Sequence, residues 1–117
     1  MTSSEAHAIT RRLFAASPAI RYVAFYQAGE LFSEQANGLS RASASETDRF
    51  EELLVNPSLL TLAKQRGDLD CGGLRYLIVG YGNFYQLVRP YKAGHVSVCI
   101  DLGGDPIALE PLIASLL

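Results

Sequence analysis

Apolar and polar residues alternate along the chain with two different periods, and these periods predict its helices and strands. Near the N-terminus, apolar residues recur every three or four positions, which is the spacing of one buried helix face. Ser3 or Ser4 is placed to cap this first helix. Ser17 should end it, because Pro18 follows and the residue before a proline avoids helical angles. The predicted buried face consists of Ala6, Ile9, Leu13 and Ala16.

A β-hairpin should follow this helix. Residues 20–26 are rich in β-branched and aromatic side chains, and residues 31–35 are expected to form a short return strand. Between them, the sequence Gln-Ala-Gly-Glu at residues 27–30 predicts a tight turn, with Gly29 where a positive φ is needed.

A longer helix is predicted in the middle of the chain. The sequence Ser-Ala-Ser-Glu at residues 43–46 matches a capping box, so Ser43 or Ser45 should begin this helix. Pro57 falls inside the pattern, and we expect a kink or a restart there with Asn56 as the cap. Gly67 should end the helix. The apolar stripe of its first half consists of Phe50, Leu53 and Leu54.

Three strands and a last helix complete the pattern. The strands are predicted at residues 74–81, 84–91 and 95–102, with turns at Gly82-Asn83 and at residues 92–94. In the third of these strands, large apolar residues alternate with small or polar ones, so its two faces differ. Asp105 should cap the last helix, with Pro106 at its first position.

Together, these elements predict one domain over residues 1–117, in the order α-β-β-α-β-β-β-α. Short hairpins make most neighbouring strands antiparallel. The predicted fold class is therefore α+β, with one five-stranded antiparallel sheet and helices on both of its faces.

This layout resembles the roadblock (dynein light-chain) superfamily over nearly the whole chain. The resemblance is carried by the element order and lengths, by the hairpin IRYVAFYQAGELF and by LRYLIVGYGNFYQLVRPY after the long middle helix. The family has no catalytic signature, so no motif adds to this architecture. Two features depart from the family: Ala28-Gly29 replaces the usual Asp-Gly turn, and Pro57 interrupts the helix that the family uses as an interface. Profilin-like and longin-like folds share the layout and remain alternatives.

The strand at residues 74–81 is the strongest candidate for a functional surface. If the last strand pairs with the first, this strand lies at a sheet edge, and residues 74–79 carry only one charge. An apolar edge of this kind aggregates unless something pairs with it, and a second copy of the same strand is the simplest partner. The alternative is that this strand is central. The roadblock resemblance implies such a dimer, with an interface of Phe50, Leu53, Leu54, Leu74, Tyr76, Leu77, Ile78 and Val79.

The aromatic sequence VGYGNFYQL at residues 79–87 also resembles the base-stacking strand of RNA-recognition modules. Such a strand needs its aromatic side chains on one exposed sheet face beside basic residues. Here Gly82-Asn83 divides them between two strands, and helices should cover both faces. We interpret the stretch as a tight hairpin, with Gly82 or Asn83 in a left-handed conformation.

Other candidate chemistry is sparse. Cys71 and Cys99 are far apart without a nearby histidine, so we interpret them as structural, with a redox role for Cys71 as the alternative. His7, in the first helix, and His95, in a turn, have no partner at a catalytic spacing and are interpreted as surface residues. The acidic run of the middle helix is interpreted as charge favoured by the helix dipole. It consists of Glu46, Asp48, Glu51 and Glu52.

Composition limits the function further. Apolar residues make up 49% of the chain, which suffices for a core, and the formal net charge of −2 gives no basic field for nucleic acid. No stretch approaches the roughly 18 apolar residues of a membrane span. No apolar run resembles a signal peptide, and a soluble, cytoplasmic protein without cofactor or metal is expected.

The sequence therefore predicts a non-enzymatic, homodimeric interaction module. The roadblock resemblance implies a small GTPase, or a motor or signalling complex, as its partner. The alternative is a small-molecule sensor of the profilin-like or PAS-like type. Its pocket would be lined by Tyr22, Tyr26, Tyr76, Tyr85 and Tyr91. An enzyme is least expected, because no acid–base pair, nucleophile or metal constellation is visible.

Overall fold

The protein is described by a computed structural model over residues 1–39 and 42–117. The helices are α1 (Ser3–Ala16), α2 (Ser45–Phe50), α3 (Asn56–Asp70) and α4 (Pro106–Leu116). A π-helical turn, Glu51–Val55, joins α2 to α3, and we call these three segments the middle helix. The strands are β1 (Ile20–Gln27), β2 (Glu30–Gln35), β3 (Leu77–Gly80), β4 (Phe84–Tyr91) and β5 (Gly94–Asp101).

The five strands form one sheet in the order β2-β1-β5-β4-β3, and every neighbouring pair is antiparallel. The last strand in sequence therefore pairs with the first, which leaves β2 and β3 at the two edges. The predicted element order, fold class and edge strands are all confirmed.

The two faces of the sheet carry different layers. On one face, α1 and α4 cover an apolar core that includes Leu13, Phe25, Leu87, Val98 and Ile113. On the other face lies a smaller apolar cluster around Tyr22, Ala24 and Cys99. Side chains of the middle helix cover this second face through buried polar contacts to β4 and β5. The two clusters lie on opposite faces because side chains alternate along β5: Val96, Val98 and Ile100 point to the first face, and Cys99 points to the second.

The first helix begins one residue earlier than predicted. Its cap is Thr2, not Ser3 or Ser4: the Glu5 N–H donates to Thr2 Oγ1 at 3.2 Å, and the Thr2 N–H donates to Glu5 Oε2 at 2.9 Å. This is a reciprocal capping box. The helix ends before Ser17 as predicted, although Ala16 is exposed instead of buried.

The turns agree with the predictions in position but not always in conformation. Ala28 and Gly29 connect β1 to β2 with φ values of 50° and 85°, so the expected positive φ is present at both positions. Gly82-Asn83 forms the predicted hairpin turn, closed by a hydrogen bond from the Tyr81 N–H to the Phe84 carbonyl at 2.9 Å. Neither Gly82 nor Asn83 has the predicted left-handed conformation.

The middle helix begins at Ser45, one of the two predicted positions, but its cap differs from the prediction. Its cap is Ala44, and no side chain accepts a bond from the first turn, so the capping box expected at residues 43–46 is absent. Pro57 causes neither a break nor a restart, because the backbone angles stay helical from Phe50 through Asn56. The wider π-helical turn ends at Val55, two residues before this proline, which lacks a backbone donor. Asn56 is thus not a cap, and its side chain is buried.

The end of the middle helix was also predicted too early. Gly67 does not stop the helix, which continues to Asp70. A Cβ atom at Gly67 would lie 2.9 Å from the carbonyl carbon of Gly73, so the glycine allows the returning chain to pack against the helix. Gly72 and Gly73 have φ values of 78° and 91° and reverse the chain direction.

The edge strand β3 is shorter than the predicted strand at residues 74–81. Only Leu77–Gly80 pairs with β4. Residues 74–76 are not strand, because the packing of Gly73 and Leu74 on Gly67 holds this part of the chain against the end of α3. Asp105 caps α4 as predicted, and its side chain accepts from the backbone N–H groups of Ile107 and Ala108 at 3.0 and 3.2 Å.

Candidate interaction edge and acidic cavity

The edge strand β3 is paired on one side only. It pairs with β4 from Leu77↔Val88 to Gly80↔Tyr85, and no other described strand lies beside it. At the hairpin end, the Tyr81 N–H donates to the Phe84 carbonyl, so Tyr81 is hydrogen-bonded to β4. In an antiparallel ladder only every second residue is bonded to the same neighbour, and Val79 and Leu77 are the next residues of β3 that bond to β4. The backbone groups of Ile78 and Gly80 therefore point to the free edge.

The side chains of β3 are divided between the two sheet faces. Leu77 and Val79 pair with Val88 and Gln86 and so share the face of the middle helix. Ile78 points to the other face and packs against the core beneath α1 and α4. All three side chains are half-buried within the described chain, as are Leu74 and Tyr76 in the segment before the strand.

The middle helix presents large apolar side chains to solvent. Phe50 and Leu54 are 57% and 54% exposed, and Leu53 is half-buried. An open groove of about 420 Å³ runs along this helix. It is lined by Leu53, Leu54, Pro57, Ser58, Thr61 and Leu62. Three of the residues predicted for the interface, Phe50, Leu53 and Leu54, therefore belong to one apolar surface on the helix.

A buried polar network joins the middle helix to the sheet. Glu52, in the π-helical turn, is 1% exposed, and His95, in β5, is 2% exposed. His95 Nε2 lies 2.8 Å from Glu52 Oε1, and Asn56 Nδ2 donates to the same oxygen at 2.9 Å. Gln86 Nε2 donates to Asn56 Oδ1 at 2.9 Å, so the network reaches β4 as well.

This network corrects two sequence interpretations. His95 is neither in a turn nor on the surface, because β5 already begins at Gly94 and the middle helix covers the histidine. Glu52 was interpreted as a solvent-exposed charge that favours the helix dipole, but its side chain is buried in this network. The sequence did indicate the burial of His95. In a strand, residues an even number of positions apart share a sheet face, and His95 and Cys99 are four positions apart. By contrast, His7 is exposed as predicted, and its Nδ1 lies 2.9 Å from Glu34 Oε2.

Beside this network lies an acidic cavity of about 270 Å³ between the start of the middle helix and the sheet. Three of its lining residues carry carboxylates: Asp48, Glu51 and Glu52. Burial raises the pKa of Asp48 and the pKa of Glu51 above the usual carboxyl range. The remaining lining residues are Tyr22, Ser43, Thr47, Tyr81, Gly82, Asn83, Phe84, Gln86 and Cys99.

Two tyrosines face the carboxylates of this cavity. The Tyr81 hydroxyl donates to Glu51 Oε1 at 2.8 Å, and burial together with this bond raises the pKa of Tyr81 to about 12. Tyr22 is 6% exposed, and its hydroxyl has no hydrogen-bond partner of good geometry among the described residues. Burial, followed by the charges of Glu52 and Asp48, raises the pKa of the Tyr22 phenol.

The pocket predicted from five tyrosines does not exist. Tyr22 points to the face of the middle helix, and Tyr26 stacks there against the His95 ring at 5.7 Å between ring centroids. Tyr85 and Tyr91 instead pack on the core beneath α1 and α4. The prediction was wrong because it ignored the parity that sends alternate strand residues to opposite faces.

The remaining candidates carry little chemistry. Cys71 is exposed and Cys99 is buried, and both thiols are free. Burial raises the pKa of the Cys99 thiol well above its usual value, which keeps it protonated. Within residues 1–39 and 42–117, no three His, Cys, Asp or Glu side chains are grouped to hold a metal ion. Over the same residues, none of the helices has the length and apolar character to cross a bilayer.

The element order, the strand order with β5 beside β1 and the helices on both faces define a roadblock-type fold, as predicted. Two solved structures of MglB share it. One, of MglB in a tetrameric arrangement, superposes with a TM-score of 0.72 at 11% identity, over 97% of this chain and 82% of that one. The other, the gliding protein MglB from Thermus thermophilus, gives a TM-score of 0.69 at 13% identity over the same shares. No protein-family profile and no curated protein matches the sequence.

Proposed function

We propose that the chain is a non-enzymatic protein-interaction module that forms a homodimer through β3 and the middle helix. The observation that carries this proposal is the uncovered edge of β3. Its outward backbone groups, those of Ile78 and Gly80, have no partner strand among the described residues. Groups of this kind gain hydrogen bonds when a second strand is added at the edge.

A second copy of the chain is the partner that fits this edge best. Two β3 strands related by a two-fold axis run antiparallel, so each copy supplies the donors and acceptors that the other needs. Arg75 is the only charged residue in the segment 74–79, and thus little charge opposes the pairing. Phe50 and Leu54 extend the apolar surface onto the middle helix and would be covered in the same dimer.

For the dimer's partner we propose a small GTPase or another signalling protein. The support is the roadblock-type fold, since proteins of this superfamily often act on such partners and the MglB structures share the fold. We propose no contact with nucleic acid or membrane, and the cytoplasmic location remains a prediction from the sequence.

The alternative function, a small-molecule sensor, receives support from a different feature. The five-tyrosine pocket is absent, but the acidic cavity is a partly open recess with three carboxylates beside the buried network. Carboxylates at such a site favour a small molecule that carries positive charge.

Size-exclusion chromatography with multi-angle light scattering tests the proposed dimer. We expect a dimer at micromolar concentration. Val79→Lys should shift it to a monomer, because charges on two paired edges repel while a lysine is tolerated on an unpaired edge. Ile107→Lys is the matched control, since Ile107 is exposed on α4. A wild-type monomer, or a Val79→Lys variant that stays dimeric and folded, would refute the proposal.

The partner is tested separately by titrating the dimer with a small GTPase from the same organism. Binding should depend on whether the GTPase holds GDP or a GTP analogue. Size-exclusion chromatography with light scattering on the same samples reports the dimer independently, so loss of the partner is distinguished from loss of the dimer. If the GTPase does not bind, or binds equally well with GDP and with a GTP analogue, the GTPase is removed from the proposal, whereas the proposed dimer is not affected.

A further inference from the structure

We propose that the acidic cavity binds an organic cation, an ammonium or guanidinium group carried on a short alkyl chain. The site is formed by Asp48, Glu51 and Tyr22 between the middle helix and the sheet. This inference rests on and deepens the alternative function, the small-molecule sensor, by naming its ligand class, and it does not depend on the dimer or its GTPase.

The charges of the cavity favour a cation. Its lining contains three carboxylates and, among the described residues, neither a lysine nor an arginine. Glu52 is already bonded to His95 and Asn56. Asp48 and Glu51 retain acceptor capacity, because a carboxylate offers about four acceptor positions. Among the described residues, Asp48 accepts from Gln35 Nε2 at 3.3 Å and Glu51 accepts from the Tyr81 hydroxyl at 2.8 Å.

The Tyr22 hydroxyl gives an independent indication of a ligand. It is buried and lies in the field of the Glu52 and Asp48 charges, and the neighbouring Ser33 side chain, although close enough to influence it, does not meet it with hydrogen-bond geometry. Buried polar groups almost always have a partner. An N–H of a bound cation would donate to the phenol oxygen and to the nearby carboxylates together, which supplies the missing bond.

The walls of the cavity suit an organic cation better than a bare metal ion. Tyr81 and Phe84 pack as a pair with their ring centroids 5.5 Å apart. The Arg21 guanidinium already lies over the Phe84 ring at 5.2 Å, so Tyr81 is the ring that a bound ammonium or guanidinium group would contact. The described residues contain no group of three His, Cys, Asp or Glu side chains arranged for a metal. Burial disfavours the ionised forms of Asp48 and Glu51 and so raises their pKa values, whereas a bound cation favours the ionised forms. Binding should therefore strengthen as these groups ionise.

Isothermal titration calorimetry of the full chain tests the proposal with three probes: agmatine, putrescine and the uncharged n-butylurea. We expect agmatine or putrescine to bind once per chain and n-butylurea not to bind. Asp48→Asn and Glu51→Gln should each weaken binding about tenfold, the usual effect of losing a bond to a charged group. Tyr22→Phe should weaken it as well. Glu46→Gln is the control, because Glu46 is exposed on the same helix and does not line the cavity.

The capped peptide acetyl-Gly-Arg-Gly-amide distinguishes two sources of the cation. Binding of the peptide as tight as that of agmatine assigns the site to an arginine side chain of another protein, whereas binding of agmatine or putrescine alone assigns it to a free amine. Thermal unfolding of each variant shows that it is folded. The proposal is overturned if none of the cations binds, if n-butylurea binds equally well, or if a folded Asp48→Asn/Glu51→Gln double variant keeps wild-type affinity.

Discussion

His95 Nε2 and Glu52 Oε1 lie 2.8 Å apart in the interior, where they join β5 to the π-helical turn of the middle helix. The same chain contains an exposed pair of the same two residue types. His7 Nδ1 lies 2.9 Å from Glu34 Oε2, and the His7 side chain is 62% exposed. The protein therefore offers an internal comparison of one contact in two environments.

Glu52→Ala should lower the free energy of unfolding by about 3 kcal/mol, because it leaves His95 and Asn56 buried without their shared acceptor. Glu34→Ala should cost at most about 1 kcal/mol, as is typical of surface pairs. Urea denaturation of both variants measures the difference. Equal losses would show that the buried network contributes no more than the surface contact.

The acidic cavity predicts a specific pH dependence. Burial raises the pKa of Asp48, so the folded state holds this proton more tightly than the unfolded state does. Stability from this group is therefore fully present below its unfolded pKa and is lost as the pH rises through its folded pKa. Asp48→Asn, which removes this half-buried charge, should raise the stability at pH 7, and the gain should shrink as the pH falls below the folded pKa.

Urea denaturation at a series of pH values, from about 3, below the ordinary carboxyl pKa, up to about 8, measures this trend. Glu46→Gln is the matched control, since it removes the same charge from an exposed position of the same helix and should give a smaller gain at pH 7. A gain for Asp48→Asn that stays constant over the whole range would contradict the assignment.

Several features that depend only on neighbours in sequence could be predicted from the sequence, although the caps of the first two helices and the conformation of the Gly82-Asn83 turn were not. The Ala28-Gly29 turn, the Asp105 cap and the alternating faces of β5 are local, and the structure confirms each of them. The edge position of β3 followed from one further assumption, that the last strand pairs with the first. These local signals sufficed for the fold class because short hairpins leave few alternative topologies.

Features that depend on contacts between distant residues could not be predicted. Glu52 and His95 are 43 positions apart, and their contact requires both the register of β5 and the placement of the helix above it. Gly67 resembles a helix stop, yet its function is to admit the backbone of Gly73. The acidic cavity was missed for the same reason, because its carboxylates come from the middle helix while its aromatic walls come from β1 and the β3–β4 hairpin.

Gly94 is a position where a side chain cannot fit. A Cβ atom there would lie 1.8 Å from the carbonyl oxygen of Tyr26 on the neighbouring strand. Gly94→Ala should therefore destabilise the protein by about 3 kcal/mol or more, or prevent folding, because two paired strands must separate. Gly82→Ala is the control: no atom lies within 4 Å of its Cβ position, and the change should stay within about 0.5 kcal/mol. Soluble yield and thermal unfolding of the two variants measure the contrast, and similar values for both would disprove it.

The first hairpin contains a residue that is unfavourable for its conformation. Ala28 has a φ of 50°, a left-handed angle that costs an ordinary L-residue about 1 kcal/mol or more, whereas Asn followed by Gly is the preferred pair in such a two-residue turn. Ala28→Asn should therefore stabilise the protein by about 0.5–1 kcal/mol, since Asn tolerates the left-handed region and no contact of Ala28 is lost to the core. Ala93→Asn tests the same change in the β4–β5 turn, where Ala93 does not have a positive φ, and should give no gain. Urea denaturation decides between the two, because an equal effect at both positions would mean that the backbone angle of Ala28 does not limit stability.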